Sequence, residues 1–85
     1  MSGSGLHEVV AERLELNWDR FREAHPHLAN AVERVDLIEV SVGSLRDDES
    51  FQRAMTQAQI DEKILASASG VMRLVDEAVE RVLGL

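Results

Sequence analysis

The sequence predicts an all-α fold: a small helical bundle of three helices with a long C-terminal helix. Three observations predict it. Apolar residues recur at helical steps of three and four, Pro26 and the Gly43-Ser44 pair punctuate that pattern, and a seven-residue repeat runs unbroken from Ser50 to Leu83. In the repeat, Phe51, Ala58, Leu65, Met72 and Val79 share one position, while Ala54, Asp61, Ala68, Val75 and Val82 share the position three further on. Ile64, Val71 and Ala78 widen this face beyond a two-position coiled-coil stripe, which suits a packed bundle.

The first helix is expected at about 6–24. Leu6, Val10, Leu14, Trp18, Phe21 and Ala24 fall on one side of it, and Glu8, Glu12, Glu15, Asp19 and Glu23 with Arg13, Arg20 and Arg22 form the solvated side. Asn17 sits inside the apolar stripe and Leu16 projects away from it. Leu16 is either an incidental surface residue or, with Val9, part of a second contact surface. Ahead of this helix, Met1-Ser2-Gly3-Ser4-Gly5 reads as an appended flexible leader, so 6–85 is taken as one domain. The leader raises an engineered origin; against idealised design stand a single lysine, Lys63, and the β-branched tract described next.

His25-Pro26-His27 interrupts the helix, because proline disfavours helical geometry before it and has no N–H to donate. Pro26 then suits the first position of a second helix, expected at about 26–42 along Leu28, Val32, Val35, Ile38 and Val42. Ile38-Glu39-Val40-Ser41-Val42 alternates in polarity, so a short strand competes there. Helix is favoured, since a lone strand would have no backbone partner within one chain.

Gly43 and Ser44 are expected to end that helix, and Asp47-Asp48-Glu49-Ser50 to cap the third, at about 48–83. Ion pairs at a spacing of four, Glu49–Arg53, Arg73–Glu77 and Glu77–Arg81, decorate its outer face. The small-residue patch Ala66-Ser67-Ala68-Ser69-Gly70 is either a close helix contact or a bend. Asp61, at a seam position, is either exposed where the seam frays or a polar residue that specifies register.

Composition narrows function. At 85 residues without cysteine, the chain has no disulfide, no thiolate metal site and no thiol nucleophile. A domain this small buries only about 60% of its unfolded surface, so association with another subunit is expected to add buried area. Nine basic against sixteen acidic residues give a formal charge of −7, which opposes direct contact with nucleic acid or anionic membranes. Without a spanning apolar run or an export signal, the chain is expected to be soluble and cytoplasmic. His7, His25 and His27 show no metal-ligand spacing, Asp47-Asp48-Glu49 lacks the pattern of a calcium loop, and no serine sits in a nucleophile motif. No cofactor is expected, and no enzymatic activity. Trp18 and Phe21 are expected to anchor the first helix to the third rather than stack a ligand.

The second half resembles the subunits of type III secretion needles and inner rods, through the Asp47-Asp48 turn, the patch Ser67-Ala68-Ser69-Gly70 and the apolar run Val71-Met72 with Val75, Val79 and Val82. That resemblance implies a helical hairpin whose last helix lines a polymer, and it carries over no functional residue. Two other readings come from the residues themselves. The leading one is a protein–protein interaction or self-assembly module acting through the apolar face of the C-terminal helix, at Leu65, Ala68, Val71, Met72, Val75, Val79 and Val82. It predicts a homodimer or higher homo-oligomer in which third helices pair around Ala66–Gly70. The other is an acidic antitoxin-like inhibitor of a basic partner.

Overall fold

The computed structural model describes residues 5–58 and 69–85. They form six helices, and among the described residues there is no strand. In chain order these are α1 (Leu6–Leu16), α2 (Trp18–Ala24), α3 (Pro26–Ala31), α4 (Arg34–Arg46), α5 (Glu49–Ala58) and α6 (Ser69–Leu83). The all-α expectation is met, but the helices divide differently from the three expected.

The first expected helix breaks at Asn17, between α1 and α2. Asn17 leaves helical geometry at φ −103° and ψ 3°, and its amide nitrogen donates to the Arg13 carbonyl at 2.9 Å. A side chain that bonds the backbone in this way offers an alternative to the helical ladder. The second break, after α3, comes where Val32 and Glu33 turn extended, at ψ 153° and 140°. Pro26 does occupy the first position of α3, as its fixed φ and missing N–H favour.

Ile38–Val42 is helical, within α4. Spacings of three and four place Ile38, Ser41, Val42 and Leu45 on one inward face, and Ser41 Oγ donates to the Leu37 carbonyl at 2.8 Å, so the one fully buried hydroxyl of that face is satisfied. Gly43 and Ser44 do not end the helix; it runs on to Arg46, because burial of Leu45 outweighs the roughly 1 kcal/mol that a helical glycine costs. Asp48 then caps α5: its Oδ1 accepts from the Ser50 N–H at 2.9 Å, and its carbonyl accepts the first helical bond from Gln52. The long third helix is described only as α5 and α6, with 59–68 outside the described residues.

α1, α4 and α6 pack pairwise, and α5 closes against α4 and α6. Ion pairs give the directions. His7 meets Glu39 and Glu15 meets Arg34, so α1 and α4 are antiparallel. Arg13 meets Asp76, Arg20 meets Glu80 and the His25 ring meets Gly84, so α1 and α2 run alongside α6 in the same sense. Between these helices lies one core, containing Leu6, Val10, Leu14, Val42, Leu45 and Phe51, all essentially inaccessible to water. Trp18 and Phe21 join it with ring centroids 5.2 Å apart, and Arg34 lies over the Trp18 ring at 4.3 Å. A Cα radius of gyration of 12.9 Å is near the ~12 Å of a compact chain this long.

α6 ends in a Schellman motif. Gly84 adopts φ 73°, its N–H donates to the Arg81 carbonyl, and the Leu85 N–H donates to the Glu80 carbonyl at 2.9 Å. The His25 ring, tilted against Phe21 with centroids 5.7 Å apart, reaches the Gly84 carbonyl through Nε2 at 3.3 Å. A bond there requires the proton on Nε2.

Candidate interaction surfaces

The residues expected to form an interface on the C-terminal helix divide into three groups. Leu65 and Ala68 lie outside the described residues, as do Asp61 and most of the small patch; Gly70, at its end, is exposed. Val71, Met72, Val75 and Val79 are buried, and Val82 is half-buried. What covers the buried four is the chain itself, for they belong to the same cluster as Leu6, Val10, Leu14, Leu45, Phe51 and Met55. The apolar surplus that favours a dimer through this face is, at those four positions, taken up inside one chain. Periodicity in the sequence identifies a buried face without saying which helices bury it. α1, α4 and α5 do so.

The residues that carry the likeness to needle and rod subunits are distributed in the same way. Asp47 and Asp48 form the turn into α5, Ser67 and Ala68 lie outside the described residues, and Val71 with Val75 faces the core. The first half of the chain is four short helices.

Among the described residues, five large aliphatic side chains remain exposed: Leu16 (66%), Leu28 (50%), Val35 (59%), Val40 (57%) and, at the C-terminus, Leu85 (38%). Leu16 stands out in the sequence as well, because it leaves the apolar stripe of α1. Val9, the other candidate for a second contact surface on that helix, is buried. Leu16 and Val35 each adjoin a member of the Glu15–Arg34 ion pair, which joins the end of α1 to the start of α4. Periodicity alone places Leu28 and Val35 on the inward stripe of one continuous helix. The extended turn at Val32–Glu33 resets the phase between them, and both emerge at the surface.

The outer face of α4 has its own pattern. Asp36, Val40, Gly43 and Asp47 follow one another at steps of four, three and four, and all are exposed. By the helical rotation per residue they lie within about 60° of one another. Glu39 borders this stripe and touches the His7 ring at 3.2 Å. A Cβ built on Gly43 meets no atom within 4 Å, so the backbone there is open to close approach. Arg34, the basic residue at the start of α4, is engaged by Glu15 and Trp18, and Arg46 lies about a quarter turn off the stripe.

Elsewhere, ion pairs and polar contacts occupy part of the described surface. Arg22 meets Asp19 at 2.6 Å, Arg73 meets Glu77 at 3.7 Å, and Arg20 bridges Asn17 and Glu80. Exposed pairs of this kind contribute about 0–1 kcal/mol each and mark no site. His27 is exposed and His25 is held between Phe21 and Gly84. Among the described residues, no three His, Asp or Glu side chains are grouped to hold a metal ion, and no helix is long and apolar enough to cross a membrane. Comparison with models of protein families, with curated proteins and with solved structures finds no match to this chain.

Proposed function

We propose that this protein is a non-enzymatic helical interaction module, which acts by non-covalent contact between its helix faces and another polypeptide. The observation that carries the reading is the exposure of Leu16, Leu28, Val35 and Val40 on the surface of the described bundle. Taking such a side chain from full exposure to full burial is worth roughly 1.5–3 kcal/mol, of which each of these, still half to two thirds exposed, would gain a part, and a small domain gains from covering them. Among the described residues, α6 supports the bundle from within through Val71, Val75 and Val79, and its half-buried aliphatic positions are Leu74 and Val82. Contact through α1, α3 and α4 leaves that core intact.

Site-specific photo-crosslinking tests the reading and needs no identified partner to begin with. A photoreactive phenylalanine analogue is placed at Leu16, Leu28, Val35 or Val40, with exposed Glu12 as the control position. One discrete adduct from the aliphatic positions, absent from Glu12, is the expected result. Its mass distinguishes a second copy of the chain from a different protein. No adduct from any of the four, or reproducible turnover abolished by His25→Ala, overturns the reading.

A further inference from the structure

Resting on that reading, we infer that the outer face of α4 is a docking stripe for a basic amphipathic helix of another protein. The stripe has an apolar, sterically open middle and an acidic group at each end. Val40 is mostly exposed, Gly43 presents bare backbone, and Asp36 and Asp47 stand on either side of them. The two aspartates are eleven residues apart, about 16 Å along the helix. Neither has an ion-pair partner among the described residues, and Glu39 adds a third acid beside Val40. A partner helix seated over Gly43 can approach near the lower end of the usual ~8–10 Å interaxial range. There an aliphatic or small side chain covers Val40, while a Lys or Arg at each end of the contact meets Asp36 and Asp47.

Charge selects this occupant over the others. Two copies of the stripe, paired antiparallel, would set Asp36 of each against Asp47 of the other; paired parallel, each aspartate would face its own counterpart. Either arrangement puts like charges together at both ends. Nucleic acid and anionic membranes are repelled by the same carboxylates and by the net charge of −7. A basic helix is the remaining surface that satisfies both the apolar middle and the acidic ends. Arg34 does not compete for the aspartates, since it is held by Glu15 and Trp18.

The test uses the full chain and a fluorescein-labelled amphipathic peptide of about 18 residues made of Leu, Ala and Lys, with lysines set about 16 Å apart around a Leu-Ala centre. Anisotropy titration at about 0.15 M salt is expected to give saturable one-to-one binding. Gly43→Gln keeps the charge and fills the open backbone, and is expected to weaken binding by about ten-fold or more. The double variant Glu8→Gln, Glu12→Gln removes two carboxylates from α1 and is expected to stay within about two-fold of wild type. Asp36→Lys with Asp47→Lys is expected to transfer preference to the same peptide with Glu in place of Lys. Backbone amide shifts on binding should centre on Asp36, Val40, Gly43 and Asp47. The proposal is overturned by absence of saturable binding, by equal weakening in the α1 double variant and Gly43→Gln, or by shifts confined to other helices. If crosslinks from Leu16 or Leu28 persist in any of those cases, the interaction module stands and only its docking stripe is lost.

Discussion

Helices α4 and α6 are both rich in valine, and they place their valines differently. In α6, Val71, Val75 and Val79 recur every four residues, so all three point into the core. In α4, Val42 is buried and Val40 lies on the outer side, about 160° around the helix from it, while Val35, within about 20° of Val42, is exposed in the first turn. The lesson is that phase and position along the helix decide burial, and apolar content does not. A helix whose valines are in phase becomes scaffold. One whose valines are out of phase displays part of its apolar surface, and in α4 that surface includes Val40, set between Asp36 and Asp47.

The largest effect expected from this contrast comes from the same charge placed on each helix. Val75→Asp puts an unpaired carboxylate into the core at a cost of several kcal/mol, comparable with the roughly 5 kcal/mol total stability of a domain this small, so helical circular dichroism should collapse. Met72→Glu should do likewise. If Met72→Glu instead stays folded and halves the mass seen by light scattering, Met72 lies at a subunit contact and the contrast between the helices fails.

Next comes truncation at the inward position where α4 continues past Gly43. Leu45→Ala should cost about 2–5 kcal/mol, measured as a shift in the urea midpoint, because it removes fully buried methyl groups and leaves a cavity. A loss below about 0.5 kcal/mol would mean that the end of α4 is not anchored through Leu45.

The helix glycines sharpen the comparison at smaller scale. Gly84→Ala forces a side chain to φ 73° with its Cβ 3.0 Å from His25 Nε2, and should destabilise by about 1 kcal/mol or more. Gly43→Ala lies in open helical backbone and should stabilise by about 0.5–1 kcal/mol. Opposite signs in thermal melts are the expected outcome. Matching signs would show that the two glycines do not differ in backbone conformation.

The smallest effect is on the outer stripe itself. Val40→Ser should change stability by less than about 0.5 kcal/mol, because the side chain is mostly in water already. Denaturant titration measures this directly. A cost near 2 kcal/mol would place Val40 in a buried contact and remove it from the docking face.

Local chemistry written along the chain is enough to make it helical, to begin α5 at Asp48 and another helix at Pro26, and to put Val71, Val75 and Val79 on one buried stripe. Each follows from periodicity, a carboxylate beside free N–H groups, or a fixed φ. What each stripe packs against is set by the folded arrangement instead. Asn17 looks, in the sequence, like a polar interruption of one helix. Only its bond to the Arg13 carbonyl and its link through Arg20 to Glu80 on α6 make it a break between two. Ile38–Val42 could alternate as a strand by itself; packing of Ile38, Val42 and Leu45 between α1 and α6 selects the helix. Leu28 and Val35 read as inward residues until the extended turn at Val32–Glu33 rotates one relative to the other. A sequence period records that a face is apolar, whereas the identity of its cover depends on contacts between helices distant in the chain, which no local pattern encodes.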